Sequence, residues 1–293
     1  MMMDADLFFA ILATAGLSVV AMVAGYRISD RYPGIRTPLF ACVILATAWY
    51  ASTWAGRVEN VRLFPIASAI LLSNLTPVLA SFLAGLAWQM KQIPLLRRSI
   101  VLGSFVALAS LFFLAPVLRP AFKPIRTSEQ GSWRNGICMQ THDASCGAAA
   151  VATMLRQYGL FANEADLTED CLTSTAGTEP LSLYRAMTIR GREAGIRPLI
   201  ADRNPEFWES RGQYPVLAMV APAQSESPQQ SGTGRLRHLF GRSSEGHAVV
   251  VLGRRPDGHY VIGDPSHGRT TWTPYEMSIY FSGQAFCMKE SAN

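Results

Sequence analysis

The stretch of sequence that decides the fold of the second half of the chain is QTHDASCGAAAVATMLRQYG, residues 140–159. Its segment from Ala148 to Tyr158 is rich in Ala, Met and Leu, and Gly159 follows where helices commonly stop, so the pattern predicts a helix. Cys146 stands just before that helix, where the positive end of the helix dipole lowers the pKa of a thiol. Because most cysteines are buried structural residues, Cys146 is a candidate nucleophile only if other reactive groups converge on it.

A hairpin that could supply those groups is predicted further along the chain. Two β-branched runs, Ala248–Gly253 and His259–Gly263, flank the turn sequence RPDG. With an even-length loop, His247 and Asp264 would lie at the same end of the hairpin and on the same face, whereas an odd-length loop would put them on opposite faces. The alternative is that His247 is a loop residue and that Asp264 caps the turn at Pro265.

A thiol at a helix N-terminus, an imidazole and a carboxylate that orients the imidazole are the parts of a Cys-His-Asp nucleophile system. Gln140 lies six residues before Cys146 in the loop that enters the helix. Its side-chain NH2 could point to an oxyanion beside the sulfur, with the backbone N–H of Cys146 as the second donor. Taken alone, Gln140 would be interpreted as a solvated loop residue.

The remaining signals predict an α+β domain that begins near Gly136. A second helix is indicated by Thr178 as its cap and Pro180 in its first turn. A further strand is predicted at Tyr214–Val220. Since helices precede strands, we expect a helical part packed on an antiparallel sheet. The polar segment Pro222 to Gly246 is predicted to be a mobile loop.

The first half of the chain consists of apolar stretches that are long enough to cross a bilayer, which takes roughly 20 residues. They are apolar all round, unlike the helices of a soluble domain. We predict four transmembrane helices, at Leu7 to Gly25, Pro38 to Gly56, Leu63 to Trp88 and Ile100 to Leu118. Ser73 and Asn74, at the centre of the third stretch, should find partners in neighbouring helices or mark a kink. The predicted organisation is a transmembrane region at 1–118, a linker at 119–135 and the α+β domain at 136–293.

The charge pattern predicts topology and excludes some partners. No basic residue precedes the first apolar stretch, and three more apolar stretches follow it. We therefore interpret the first stretch as a membrane anchor and not as a signal peptide. Arg27, Arg31 and Arg36 follow it, which favours an outside N-terminus and, after four spans, an outside C-terminal domain. This corresponds to a multi-pass protein of the cell (inner) membrane with its domain on the outer, periplasmic side. The net charge is +5, and the basic residues are not interleaved with aromatic residues. Nucleic acid is therefore not an expected partner.

The cysteines allow two structural alternatives to catalysis. Cys138, His142 and Cys146 recur at every fourth residue, but a zinc site would need helical spacing through a segment rich in turn formers. We therefore predict no metal and no cofactor. Cys171 and Cys287 could form a disulfide in an oxidising compartment, with Cys138 left over.

Three motifs together resemble the peptidase C39 family: Gln140 to Ala149, then GHAVVV from Gly246, then Gly263-Asp264-Pro265 with Gly268 after it. These are papain-like cysteine peptidases of the bacteriocin-processing type, best known for cutting leader peptides after a double glycine. The resemblance runs from about Gly136 to Gln284. It implies that Cys146 is the nucleophile, His247 the base, Asp264 the orienting acid and Gln140 the oxyanion donor.

Two features differ from the best-known members of that family. Ser145 stands where the residue before the nucleophile is often acidic, and the sequence has no Gly-x-x-x-x-Gly-Lys-Ser/Thr motif of an ABC exporter. The expectation is a membrane-anchored cysteine peptidase that acts on a peptide or protein substrate, with the bilayer and a separate transporter or other membrane protein as partners. A non-catalytic peptide-binding domain and a thioester-based acyl or peptidyl transferase stay open as alternatives.

Overall fold

A computed structural model describes residues 5–89, 94–128, 131–221 and 246–290. The chain divides into two compact units, Met1–Pro116 and Val117–Asn293.

The first unit is helical. Its helices are α1 (Ala5–Arg31), α2 (Arg36–Thr53), α3 (Ala69–Leu72), α4 (Thr76–Trp88) and most of α5 (Leu95–Phe122), with short 3-10 turns at Pro33–Ile35 and Val58–Arg62. The division after Pro116 falls inside α5, so the end of this helix belongs to the second unit. Among the residues that the structure describes, four helical segments are long and apolar enough to cross a membrane by length and composition: Ala5–Arg31, Pro33–Thr53, Ala69–Trp88 and Leu95–Phe122. They match the four predicted stretches, except that the third helix begins at Ala69 instead of Leu63.

The third apolar segment is interrupted at its polar centre. Helix α3 ends at Leu72 and α4 begins at Thr76. The hydroxyl of Tyr50 donates to the carbonyl of Ser73, and the side chain of Asn74 accepts a hydrogen bond from Thr76 Oγ1 at 2.7 Å. The predicted kink is thus found, and the main-chain carbonyl of Ser73 has a partner on α2. The Ser73 hydroxyl, by contrast, is buried with no hydrogen-bond partner in the part of the chain that the structure describes.

Helices α1 and α4 pack backbone against backbone. A Cβ atom on Gly85 would lie 2.1 Å from the carbonyl oxygen of Met22, and one on Gly25 would lie 2.3 Å from that of Phe82. Close to this contact, Ser29 Oγ donates to the carbonyl oxygen of Leu86 at 2.9 Å. Small residues at such crossings let helices approach closely, and the buried serine finds an acceptor on the facing helix.

The second unit combines helices with an antiparallel sheet. Its helices are α6 (Cys146–Arg156), α7 (Glu164–Asp170), α8 (Pro180–Gly191), α9 (Phe207–Ser210) and α10 (Pro274–Tyr280). A small ribbon is formed by strands β1 (Ser132–Arg134) and β2 (Ile137–Met139). The main sheet consists of β3 (Ile196–Ile200), β4 (Val216–Val220), β5 (His247–Arg254), β6 (Tyr260–Asp264), β7 (Gly268–Trp272) and β8 (Phe281–Glu290). The order β3-β8-β4-β5-β6-β7 is antiparallel throughout. This is the α+β arrangement expected from helices that precede strands.

Helix α6 is the central buried helix of this unit. Residues Gly147 to Leu155 are all buried, which their small side chains allow. A Cβ atom on Gly147 would lie 2.8 Å from Leu183 Cδ2 and 3.0 Å from Thr178 Cβ, so glycine is needed for the close contact with α8 and the loop before it. The predicted helix is confirmed, with its start at Cys146 and with Gly159 at a positive φ of 74°.

Several sequence-based details differ from the structure. Glu179, not Thr178, occupies the N-cap of α8, because Pro180 is the first helical residue; Thr178 Oγ1 instead hydrogen bonds with Thr173 Oγ1. The predicted loop at 222–246 lies outside the described residues except for its last one. Of the segment predicted as a linker, residues 119–122 end α5 and residues 132–134 form β1.

The proposed disulfide is wrong. All five cysteines are free thiols, because Cys171 lies buried at the end of α7 while Cys287 lies in the sheet core on β8. The zinc spacing is not helical either, since Cys138 is in β2 and its N–H donates to Thr153 Oγ1 at 2.9 Å. In the described ranges no group of three or more His, Cys, Asp or Glu side chains is placed to hold a metal ion.

Candidate active site

The hairpin that carries the candidate histidine and aspartate is closed by an odd-length loop. Arg254 pairs with Tyr260, and residues 255–259 lie between them. Gly258 has a φ of +86°, and its N–H donates to the carbonyl oxygen of Arg255 at 2.9 Å. The turn sequence was therefore located correctly, but the even loop length assumed for it is wrong.

A β-bulge in β5 offsets the effect of the odd-length loop on which face of the hairpin each side chain occupies. The register shifts between Val251 and Gly253, so that one extra residue on β5 has no partner on β6. Beyond the shift Val250 pairs with Gly263, which puts residue 249 opposite Asp264. His247 is two residues further along and points to the same face as Asp264. The same-face prediction is thus confirmed, although its geometric basis is different.

His247 and Asp264 are in direct contact. Nε2 of His247 lies 2.8 Å from Oδ1 of Asp264, and the two side chains are 26% and 10% exposed. The carboxylate also accepts the N–H of Ser266 at 2.8 Å and contacts Nδ1 of His267 at 3.2 Å. Burial disfavours the charged carboxylate, but these hydrogen bonds and the His247 charge outweigh burial and lower the pKa of Asp264 to about 2.

Cys146 interacts with the same imidazole through a hydrogen bond and through charge. Because Nε2 of His247 contacts Asp264, Nδ1 is the ring nitrogen left for this interaction. Burial disfavours the thiolate, yet His247 and the backbone N–H groups of Ala248 and Gly147 together hold the pKa of Cys146 below that of an ordinary thiol.

The pKa of the His247 imidazole is shifted in the opposite direction, upward. Burial disfavours the imidazolium, but the hydrogen bonds and negative charges of Asp264 and Cys146 raise the pKa of His247 from 6.5 to about 9. A lowered thiol pKa beside a raised imidazole pKa favours a thiolate-imidazolium pair near neutral pH. Such a pair provides a nucleophile and a proton donor in contact with each other.

Gln140 is held on the same side of the domain by bonds to the segment after β6. Its N–H donates to the carbonyl oxygen of Pro265 at 2.9 Å, and its Oε1 accepts from Ser266 Oγ at 2.9 Å. Its Nε2 donates to the carbonyl oxygens of His142 and Asp143 at 3.2 and 3.4 Å. Since carbonyl oxygens only accept, these contacts fix which end of the amide faces the turn before Cys146.

The sequence reasoning missed a buried carboxylate that supports this turn. Glu164 is fully buried at the start of α7, where it accepts the N–H of Thr141 at 2.9 Å and the Thr141 hydroxyl at 2.7 Å. It thereby holds the residue that follows Gln140. The only local signal was the capping box that Asn163 and Asp166 form around the start of α7, which predicts a helix but not the contact with Thr141.

The fold and these contacts define the class of the second unit as a papain-like cysteine peptidase domain. In this class a cysteine at the start of a buried helix meets a histidine carried by an antiparallel sheet. Residues 134–197 match the Peptidase C39 family. The chain belongs to this family of cysteine peptidases.

Individual relatives were compared as well. An uncharacterized protein of Methanothermobacter thermautotrophicus is 32% identical over 124 residues, which are 39% of this chain and 87% of that protein. A crystal structure of a double glycine motif protease from an AMS/PCAT transporter in complex with the leader peptide is 21% identical, with a TM-score of 0.40 over 57% of this chain and 99% of that one. The peptidase domain of Streptococcus ComA, a bifunctional ABC transporter of quorum sensing, is 19% identical, with a TM-score of 0.41 over 52% and 96%.

Proposed function

We propose that this protein is a membrane-anchored cysteine peptidase that hydrolyses peptide bonds with Cys146 as nucleophile, His247 as acid and base, and Asp264 as the residue that orients His247. Gln140 is the proposed oxyanion donor. The observation that carries the proposal is the contact between His247 Nε2 and Asp264 Oδ1 at 2.8 Å, because it directs the other ring nitrogen to the thiol.

In the proposed reaction the thiolate of Cys146 attacks the carbonyl carbon of the scissile peptide. The oxyanion accepts hydrogen bonds from Gln140 Nε2 and from the N–H of Cys146, which has no acceptor within α6 because it lies in the first turn. The imidazolium of His247 gives its proton to the leaving amine as the C–N bond breaks, which leaves a thioester. His247 then takes a proton from water as the water attacks, and the acid departs with the thiolate restored.

The proposed substrate is a peptide or protein, and leader peptides that end in Gly-Gly are the first candidates to test. Two solved structures with similar domains are described as a double glycine motif protease with its leader peptide and as the peptidase domain of a transporter. A separate transporter or another membrane protein is the proposed partner that would present the substrate.

The proposed location is the cell (inner) membrane, with the peptidase domain on the periplasmic side. Four apolar helical segments support membrane anchoring. The basic residues after the first of them, Arg27, Arg31 and Arg36, favour a cytoplasmic loop and therefore an outside N-terminus. Added protease should remove the domain from spheroplasts without lysis; protection until lysis would reverse this topology.

The test of peptidase function is Cys146→Ala in the full-length protein, with Cys287→Ala as the matched control because Cys287 is a buried thiol of the sheet core. A mixed peptide library that includes Gly-Gly sequences should be cleaved by the parent and by the control but not by Cys146→Ala. An electrophilic thiol probe should modify Cys146 in the parent and in the control. Because Cys42 is also an exposed thiol, the labelled residue should be identified by mass spectrometry. Unchanged cleavage by Cys146→Ala would refute the proposal.

The same experiment separates the two alternatives. New amide products in the presence of an added amine, without hydrolysis, would identify an acyl or peptidyl transferase. A folded parent protein whose Cys146 never reacts with the probe would identify a non-catalytic binding domain.

A further inference from the structure

We propose that Ser266 is a positioning residue that holds Oε1 of Gln140 and so keeps the amide of Gln140, together with two main-chain carbonyls, in place to stabilise an oxyanion. This inference rests on the proposed peptidase function and adds to it a residue that the family motif does not include. Ser266 follows Pro265 in the turn after β6 and is exposed at the surface of the domain.

Ser266 contacts both ends of the candidate site. Its N–H donates to Asp264 Oδ1 at 2.8 Å, the oxygen that also contacts His247 Nε2. Its hydroxyl donates to Gln140 Oε1 at 2.9 Å. One residue therefore connects the carboxylate that orients the imidazole with the amide proposed to bind the oxyanion.

The two contacts of Ser266 serve different purposes. The N–H bond to Asp264 belongs to the backbone and closes an Asx-type turn, so it persists whatever the side chain is. The hydroxyl bond depends on the side chain and reaches a residue 126 positions earlier in the chain. A substitution of the side chain thus removes the contact with Gln140 and retains the contact with Asp264.

Orientation matters because the two ends of a glutamine amide have opposite effects on an oxyanion. With Oε1 held by Ser266, Nε2 faces the turn before Cys146 and meets the carbonyl oxygens of His142 and Asp143. An NH2 group has two hydrogens, so one can serve these carbonyls while the other serves an oxyanion. A half-turn of the amide would bring Oε1 toward the oxyanion, and the partial negative charge on Oε1 would repel the oxyanion.

The main-chain bond of Gln140 does not by itself prevent that half-turn. The Gln140 N–H bond to Pro265 fixes the main chain at 2.9 Å, but the side-chain amide still rotates about its last torsion. The carbonyl oxygens of His142 and Asp143 oppose the half-turn, because they would then face Oε1, and the Ser266 hydroxyl holds Oε1 at the other end of the amide. By donating to Oε1, the hydroxyl also polarises the amide and strengthens Nε2 as a donor.

The test uses full-length protein and hydrolysis of N-acetyl-Gly-Gly 4-nitrophenyl ester, an activated ester that needs little recognition beyond the acyl group. Ser266→Ala should lower kcat by about threefold to tenfold, the effect of losing one neutral hydrogen bond, with KM nearly unchanged. Ser266→Thr, which keeps the hydroxyl, should restore the rate. Ser278→Ala is the matched control, since the Ser278 hydroxyl is exposed and donates to the Tyr275 carbonyl within α10.

A double-mutant cycle with Gln140→Ala distinguishes positioning from a general structural role. If Ser266 acts through Gln140, then Ser266→Ala should have no further effect in the Gln140→Ala background. The rate at which iodoacetamide alkylates Cys146 should be unchanged in Ser266→Ala, because alkylation needs the thiolate but no oxyanion donor.

Three results would overturn the inference. The first is a Ser266→Ala rate equal to that of the Ser278→Ala control, and the second is that Ser266→Ala lowers kcat by the same factor in the parent and in the Gln140→Ala background. The third is that Ser266→Ala slows the alkylation of Cys146 as much as it lowers kcat. Full activity of Gln140→Ala would overturn it too, since Ser266 would have no oxyanion donor to position. None of these results would overturn peptide-bond hydrolysis by Cys146, which Cys146→Ala tests, although full activity of Gln140→Ala would remove Gln140 as the proposed oxyanion donor.

Discussion

Replacement of Asp264 by asparagine should move the basic limb of the pH-activity profile to lower pH. In the parent protein the pKa of His247 is raised from 6.5 to about 9: burial opposes the imidazolium, and the hydrogen bond that His247 donates to Asp264 is the largest of the causes that favour it. At about 1.4 kcal/mol per pH unit, this difference favours the imidazolium by about 3.4 kcal/mol, or roughly 300-fold. Asparagine removes the charge, so the pKa of His247 should fall toward 6.5 while that of Cys146 rises.

The thiolate-imidazolium pair then exists over a narrower pH range. Activity should be bell-shaped in the parent, with its basic limb near pH 9, where His247 loses its proton, and its acidic limb below the ordinary range of a thiol. We expect Asp264→Asn to lower kcat/KM at pH 7.5 by about 10- to 100-fold, within the limit of roughly 300-fold set above.

The assay is ester hydrolysis from pH 5 to pH 10, with the Cys146→Ala rate subtracted at each pH. Asp257→Asn is the matched control, because Asp257 lies on the same hairpin and contacts His259 at its exposed end. Both limbs should be unchanged in that variant. A basic limb in Asp264→Asn that coincides with the parent's would refute the assignment of Asp264 as the group that stabilises the imidazolium.

Three further predictions concern packing and thiol reactivity. Gly147→Ala should lower the free energy of unfolding of the domain by about 1–3 kcal/mol in denaturant titrations, because the new Cβ would lie 2.8 Å from a leucine side chain on α8; an unchanged midpoint would contradict this. Gly85→Ala should lower the melting temperature of the full-length protein in detergent, since its Cβ would meet the backbone of Met22 at 2.1 Å and the helices must separate; stability equal to the parent's would show that the contact yields freely. Iodoacetamide at pH 7 should alkylate Cys146 well before Cys138, whose pKa burial raises to about 12, and mass spectrometry that finds equal labelling would refute the difference in pKa.

Local sequence signals were sufficient to predict the elements that carry the site. Helix α6 follows from its alanine-rich composition and its glycine stop, and the turn of the β5-β6 hairpin follows from Pro, Asp and Gly in succession. Strands β3 and β8 were missed. They pair with each other across some 90 residues, and the first residue of β8 is followed by a Ser-Gly-Gln segment that has little strand propensity.

Contacts that depend on tertiary structure could not be predicted in this way. A buried Glu164 looks like any acidic residue in the first turn of a helix, and its bonds to Thr141 arise only when α7 packs beside the entry loop. The pairing of Cys171 with Cys287 failed for the same reason, because cysteine number and spacing say nothing about which layer of the domain holds each residue.

The bulge at Leu252 has a consequence for how this hairpin can change in evolution or by design. Loop length and bulge form a matched pair: the odd loop alone would turn His247 away from Asp264, and the extra residue in β5 turns it back. Removing one residue from the loop alone or from the bulge alone should therefore inactivate the enzyme. Removing one residue from both should keep His247 and Asp264 on the same face of the hairpin. Among homologous sequences, we expect gaps in the turn and gaps in the middle of β5 to occur together.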